Sequence, residues 1–444
     1  MTVDRTAPTP ARRRPALRAA VAATLGAGLL ATLAAPAAVA RPAERPSAAG
    51  CHGAIHLPAT GAPPGDDAPT GDGSPTGDGA AATRPADWAA ADAALAGMTD
   101  TGYSTSALAA VRENGRLVWR NATGVADLAT GEPADARGRF RIGSATKTFV
   151  ATTLLQLVGE GRLDLDDRLE CLLPGVVPNS TAITVRQLLD HTSGVANYTR
   201  DPAFEFYEQD WLTTRRYRSY GLRDLVDIAN RYPPDFAPGQ DWRYSNTNYI
   251  LVAMIIEKLT GHAWTDEVTR RIIVPLHLTG TFAPRDLPFI PGPHAHGYFK
   301  LDTGPVDVTE LNPSMAGPSG GMISTTGDAT AFLRALLGGR LLRPAELAAM
   351  KETTTHGEGR SYGLGLQRLD TPCGPFWGHA GGIPGYSTMM LSSPDGARQY
   401  AADTTVYDIP DEAAARAAWD RVTVTALCGP RPGTAAPDLA RTAP

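Results

Sequence analysis

The chain has 444 residues, 41 of them Lys or Arg against 46 Asp or Glu, for a formal net charge of −5. That balance excludes a general nucleic-acid binder, which needs clustered Lys and Arg to meet phosphates. Apolar residues make up 43% of the chain, as in a globular protein, and only one stretch approaches bilayer length, which excludes a polytopic membrane protein.

That stretch is N-terminal. Arg12, Arg13, Arg14 and Arg18 precede an Ala/Leu/Gly run ending in Ala38-Val39-Ala40, the small residues a signal peptidase cuts after. Residues 1–40 therefore read as an export signal, and the protein is expected to be secreted, with no stable membrane insertion after cleavage and with cell-wall association open. Residues 41–84 read as a linker, since Pro69-Thr70-Gly71-Asp72-Gly73 recurs as Pro75-Thr76-Gly77-Asp78-Gly79 with nothing to bury. Cys51 follows Ala48-Ala49-Gly50, a poor match to a lipidation site. The body is expected over 85–428 and a Pro/Ala-rich tail over 429–444. In an oxidising compartment a pair of the four cysteines can close, and Cys373 with Cys428 would tie the last helix to the sheet.

The body opens with a helix over Trp88 to Met98. Strands follow at Leu108 to Glu113 and Leu117 to Ala122 around Asn114-Gly115, a favoured two-residue turn. Residues 144–350 are mostly helical. Strands return at Tyr362 to Leu369, Phe376 to His379, Tyr386 to Leu391 and near Tyr400, before an Ala-rich helix from Glu412 to Leu427. The expected fold class is α/β of the α+β kind. Its antiparallel sheet is built from both chain ends and flanked by the terminal helices, with a mostly helical region inserted. The seam between sheet and insert is the natural cleft.

Three elements can carry chemistry. In Ser144-Ala145-Thr146-Lys147, at the expected start of an apolar helix, the Lys147 amine lies one turn from the Ser144 hydroxyl. Burial lowers a lysine's proton affinity, and a neutral amine can take a hydroxyl proton. Tyr244-Ser245-Asn246 precedes the apolar run Ile250-Leu251-Val252. A phenol held beside a lysine ammonium can be drawn toward phenolate, and Asn246 offers both an amide donor and an acceptor. His379-Ala380-Gly381-Gly382 ends an expected strand, where glycines admit a substrate backbone and strand N–H groups can complete an oxyanion hole. Each alone has a bland alternative, a helix cap or a strand-end turn. His294 and His296 lack a third ligand at metal spacing, no nucleotide-binding motif is present, and no cofactor is expected.

Together and in that order, Ser-x-x-Lys, Tyr-x-Asn and His-x-Gly form the signature of the serine penicillin-recognising superfamily. Phe140-Arg141-Ile142-Gly143, Ile183-Thr184-Val185-Arg186-Gln187-Leu188-Leu189, His191-Thr192-Ser193-Gly194 and Ile256-Glu257-Lys258-Leu259-Thr260-Gly261 extend the likeness. The chain resembles the class C-type β-lactamase-related hydrolases, and most of all the secreted soluble D-alanyl-D-alanine carboxypeptidases. The resemblance implies a β-lactamase/transpeptidase-like fold and an acyl-enzyme on Ser144, with Lys147 as base and Tyr244 relaying protons. It further implies that Asn246 holds the acyl-side amide, that the N–H groups of Ser144 and Gly382 form the oxyanion hole, and that His379 replaces a motif lysine. Phe204 is matched to a cleft-wall aromatic, and Cys373–Cys428 to a family disulfide. Implied ligands are cell-wall peptides or small esters and amides, with β-lactam antibiotics as acylating agents.

The departures concern substrate. Ala380 and Gly382 stand where the carboxypeptidases carry hydroxyls for a C-terminal carboxylate, Gln367 falls where they carry an arginine, with Arg368 next to it, and Met315 falls near a cleft tryptophan. A D-Ala-D-Ala carboxypeptidase acylated by penicillins is the first expectation. An esterase or amidohydrolase on the same machinery is the second, and a penicillin-binding module without turnover the third.

Overall fold

The computed structural model describes residues 88–356, 360–407 and 411–429. The leader, the linker, Cys51 and the tail beyond Gly429 lie outside them.

An eight-stranded antiparallel sheet organises the fold. Its N-terminal hairpin pairs β1 (Ser104–Glu113) with β2 (Arg116–Gly124). The turn between them puts Asn114 and Gly115 both at positive φ, the geometry that Asn-Gly favours. Two short pairs lie outside the sheet: β3 (Phe140–Arg141) with β6 (Ile323–Ser324), and β4 (Tyr298–Leu301) with β5 (Gly304–Asp307). The C-terminal strands are β7 (Thr354–His356), β8 (Arg360–Tyr362), β9 (Gln367–Thr371), β10 (Gly374–Ile383), β11 (Tyr386–Ser392) and β12 (Arg398–Val406), and the sheet runs β2-β1-β12-β11-β10-β9-β8-β7. The two chain ends thus meet at the β1–β12 ladder, as expected.

Two strand readings change. The single strand expected over Tyr362 to Leu369 is two, because the chain bends at Gly363-Leu364-Gly365. Gly365 takes φ +72, and a Cβ on Gly363 would fall 2.2 Å from the Met350 carbonyl. The strand expected to stop at His379 continues through both motif glycines to Ile383.

The sheet separates two cores. On one face α1 (Ala89–Asp100) and the C-terminal helix pack Leu95, Met98 and Leu427 against Trp119 and Tyr400. The other face meets the helical insert: α2 (Thr146–Gly159), α3 (Leu169–Leu172), α4 (Val185–Leu189), α5 (Gln209–Thr213), α6 (Leu222–Ala229), α7 (Asn246–Thr260), α8 (Trp264–Val268), α9 (Thr326–Leu337) and α10 (Pro344–Lys351). The terminal helix is α11 (Glu412–Cys428). With both faces covered, β1 and β12 are buried almost throughout. Helices α2 and α7 are buried nearly all round, which is why their apolar residues show no clear stripe. The Cys373–Cys428 disulfide closes with its Cα atoms 5.5 Å apart and ties the end of α11 to the β9–β10 turn. Cys171 is disulfide-bonded as well. Among the described residues no helix is long and apolar enough to cross a membrane.

Candidate active site

Ser144 sits in a tight 3₁₀ turn, Gly143–Ala145, that feeds directly into α2, whose start at Thr146 comes two residues after the one expected from the sequence. Gly143 makes the turn possible: its φ is +50, and a Cβ there would lie 2.7 Å from the backbone nitrogen of Gly382. The turn hangs from β3, where the buried Arg141 guanidinium donates to the carbonyls of Pro288, Thr309 and Leu311. Ser144 keeps partial exposure at the positive end of α2.

Lys147, in the first turn of α2, is fully buried. Its Nζ lies 3.1 Å from Ser144 Oγ, 2.7 Å from Asn246 Oδ1 and 2.6 Å from the Ser319 carbonyl. No carboxylate pairs with it among the described residues, and the faces of Tyr244 and Tyr249 close over it at 4.7 and 5.5 Å. Burial holds its pKa well below the usual lysine value. A neutral amine has two N–H bonds and one lone pair. Asn246 Oδ1 and the Ser319 carbonyl can only accept, so they take the two N–H groups and the lone pair is left facing the Ser144 hydroxyl.

Tyr244 packs its ring on His191 at 4.3 Å. Its hydroxyl is buried without a hydrogen-bond partner among the described residues. Burial raises its pKa, and the nearby Ser144 hydroxyl only moderates the rise. The expectation of a phenol drawn toward phenolate by an ammonium is therefore replaced: burial disfavours both charges and favours the neutral forms of the phenol and the amine. Asn246 opens α7, with its backbone N–H on Asn197 Oδ1 at 3.2 Å. The preceding N–H, of Ser245, donates to His191 Nδ1 at 3.2 Å.

The opposite wall is the edge of β10. Pairing with β9 ends at Gly378↔Gln367, while pairing with β11 runs on to Ile383. The Ala380 N–H points to the β9 side, where it donates to Gln367 Oε1 at 3.1 Å. Backbone alternation puts the Gly382 N–H on that same free edge, facing the Ser144 turn. Gly381 lets the strand approach, since a Cβ there would fall 1.9 Å from the Ile142 carbonyl; a Cβ on Gly382 would meet nothing within 4 Å. His379 is buried, with Nδ1 2.5 Å from the Ala380 carbonyl and Nε2 2.8 Å from the Tyr362 hydroxyl. Nδ1–H can only donate to that carbonyl, so Nε2 accepts from Tyr362. Burial pushes its pKa down to about 3. With both ring nitrogens engaged, His379 has no free nitrogen for substrate.

Phe204 lies deeper than a cleft-wall residue. It is 5% exposed and packs edge-to-face on Tyr198 at 5.0 Å, and the Tyr198 hydroxyl bonds the Met315 carbonyl at 2.9 Å. Arg368 points to the exposed face, where Asp370 holds it at 2.9 Å. His296 Nδ1 lies 2.6 Å from Asp307 Oδ2, away from these groups. Among the described residues no group of three or more acidic, His or Cys side chains could hold a metal. Sequence reasoning missed Ser319, Tyr362 and the contact of Gln367 with β10. The first acts through its backbone carbonyl, which leaves no side-chain signal.

The sequence pattern of the family described as Beta-lactamase matches residues 91–428. Penicillin-binding protein 4* of Bacillus subtilis (strain 168) is 29% identical over 296 residues, 63% of this chain and 63% of that protein, so the match spans just under two thirds of its length. Among solved structures, a D-stereospecific amidohydrolase from Streptomyces sp. superposes with a TM-score of 0.70 at 39% identity, covering 79% of this chain and all of that one. The D-amino acid amidase of Ochrobactrum anthropi SV3 gives 0.67 at 26% identity, covering 75% of this chain and 97% of that one. With that match spanning both walls of the cleft, the chain belongs to the beta-lactamase family, as a serine hydrolase of that fold.

Proposed function

We propose that this protein is an exported amidohydrolase that cleaves neutral amides, and more readily esters, of D-amino acids through an acyl-enzyme on Ser144. Lys147 takes the Ser144 proton into its lone pair as Oγ attacks the carbonyl carbon, and the N–H groups of Ser144 and Gly382 receive the oxyanion. Tyr244, the phenol nearest both groups, passes the proton to the leaving nitrogen as the C–N bond breaks. Water then attacks the ester, its proton returns through the same pair, and a carboxylic acid leaves. Asn246 orients the acyl-side amide, and His379 positions the strand edge through the Ala380 carbonyl.

One observation carries the choice of substrate: Gln367 Oε1 accepts the Ala380 N–H while Arg368, its neighbour, is held outward by Asp370. Burial disfavours the charged forms of Lys147, Tyr244 and His379 alike. The wall that would meet a leaving group therefore presents neutral groups, which suit an amide or ester and give a carboxylate no cation. The likeness to the Streptomyces amidohydrolase, 39% identical over its whole length, supports this reading. The penicillin-binding relative supports the other, a D-Ala-D-Ala carboxypeptidase acylated by β-lactams.

Ammonia release from D-phenylalaninamide, with Ser144→Ala as the blank, tests the proposal against D-Ala release from a diacyl-Lys-D-Ala-D-Ala peptide. Serine-dependent ammonia release with little D-Ala release is expected. The reverse order would establish the carboxypeptidase. The Cys373–Cys428 bridge supports export into an oxidising compartment, and N-terminal sequencing of secreted protein beginning near residue 41 would confirm it.

A further inference from the structure

Beneath the Ser144 turn the sheet carries a buried acid that the mechanism does not use. Asp403 on β12 is 1% exposed and stands opposite Leu108 of β1 and Thr388 of β11. Thr388 in turn stands opposite Gly381, the oxyanion-strand residue that touches the Ile142 carbonyl. Thr388 Oγ1 lies 2.9 Å from Asp403 Oδ1 and 3.3 Å from the Arg141 carbonyl, three residues before Ser144.

We propose that the Asp403 carboxyl, acting through Thr388, is a positioning group for Ser144. A threonine hydroxyl has one proton for two acceptors. When Asp403 is protonated, its O–H can satisfy Thr388 Oγ1, freeing the Thr388 proton for the Arg141 carbonyl. When Asp403 is ionised, the Thr388 proton turns to the carboxylate and the carbonyl loses its side-chain donor. The surroundings favour the protonated form. The Tyr386 phenol on β11 is the titratable neighbour. Arg141 donates to carbonyls through Nε and Nη2, and its guanidinium makes no ion pair among the described residues. Helix α9, packed on β12, brings Asp328, bound to Gly280 and Thr281, and Lys300 on β4 is exposed. Burial accordingly raises the Asp403 pKa well above the usual carboxylate value.

Lys147 and His379 are shifted toward acid and Tyr244 and Tyr362 are raised, so an alkaline limb that Asp403→Asn removes belongs to Asp403, and one that Asp403→Asn keeps belongs to another group, the substrate's own α-amine included. The activity test rests on the acyl-enzyme reading above. kcat for D-phenylalaninamide is measured against pH for wild type, Asp403→Asn and Thr388→Val, with Ser144→Ala as blank. Wild type is expected to lose kcat on the alkaline side. Asp403→Asn, whose amide donates and does not ionise, should carry its plateau to higher pH. Thr388→Val should lower kcat about tenfold with little change in KM. The same alkaline fall in Asp403→Asn, or a Thr388→Val profile superimposed on wild type, would overturn the proposal.

Melting temperatures supply a readout independent of catalysis. An acid whose pKa is raised by folding costs stability progressively as pH climbs from its unfolded toward its folded value. The gap by which Asp403→Asn outlasts wild type should therefore widen with pH, and parallel curves would refute the protonated acid. If Ser144→Ala hydrolyses the amide as fast as wild type, the acyl-enzyme reading falls instead, and the melting curves still decide Asp403.

Discussion

The two walls of the cleft are built on different principles. The helix wall sets Ser144, Lys147 and Asn246 at the starts of α2 and α7, two helices buried nearly all round, and aromatic rings exclude water behind them. The strand wall is mostly backbone: two glycines, a free edge and one side chain, Gln367, bonded to it. Moving a group on the first wall disturbs a close-packed core. On the second, Gln367 can be exchanged with little disturbance beyond the ligand, whereas Gly381 is fixed by the Ile142 carbonyl beside it. The chemistry is fixed by packing, and the selectivity rests on a few replaceable side chains.

The largest break in that contrast should come from Lys147→Arg. A guanidinium cannot shed its proton and has no lone pair to offer, so Ser144 acylation should fall by about 10³-fold or more, measured as the burst of p-nitrophenol from an aryl ester. In wild type the free amine increases as pH rises through the lowered Lys147 pKa, so the acylation rate should climb on the acid side and then level off. Tyr244→Phe leaves the packing against His191 and removes the relay. It should cost about 10²-fold for amides, whose leaving nitrogen needs a proton, and less for aryl esters, whose leaving group does not.

On the strand wall the expected effects are in preference rather than rate. Gln367→Arg supplies a cation beside Ala380 and should move the ratio of carboxylate to amide substrates by roughly a hundredfold toward the carboxylate. The smallest catalytic effect belongs to Cys373→Ser, which opens a bridge spanning 55 residues on the far side of the sheet. It should cost about 2–4 kcal/mol of stability, seen as a lower melting temperature, with kcat close to wild type.

The helix wall was the more legible in the sequence. Ser-x-x-Lys and Tyr-x-Asn set their side chains within a turn of a helix start, so spacing alone conveys geometry. The Asn114-Gly115 hairpin and the terminal helices were legible for the same local reason. The strand wall depends on register between segments distant in sequence. Tyr362 reaches His379 across strands that spacing does not align, and the break at Gly363-Leu364-Gly365 is masked because Leu364 and Leu366 keep the apolar pattern of a continuous strand. Likeness matches Phe204 to a cleft-wall aromatic, whereas its neighbours Tyr198 and Tyr220 bury it. The shift of Lys147 and Tyr244 toward their neutral forms follows from how completely the fold buries them, which no motif records.

The most direct test compares two substrates that differ in one terminal group. D-alanyl-D-alanine and D-alanyl-D-alaninamide share size and stereochemistry, but one ends in a carboxylate and the other in a neutral amide. If the strand wall offers only neutral groups, kcat/KM at the shared peptide bond should favour the amide-terminated substrate by about tenfold or more, with Ser144→Ala inactive on both. Equal rates, or preference for the carboxylate, would show a cation reaching the leaving group and would contradict the account.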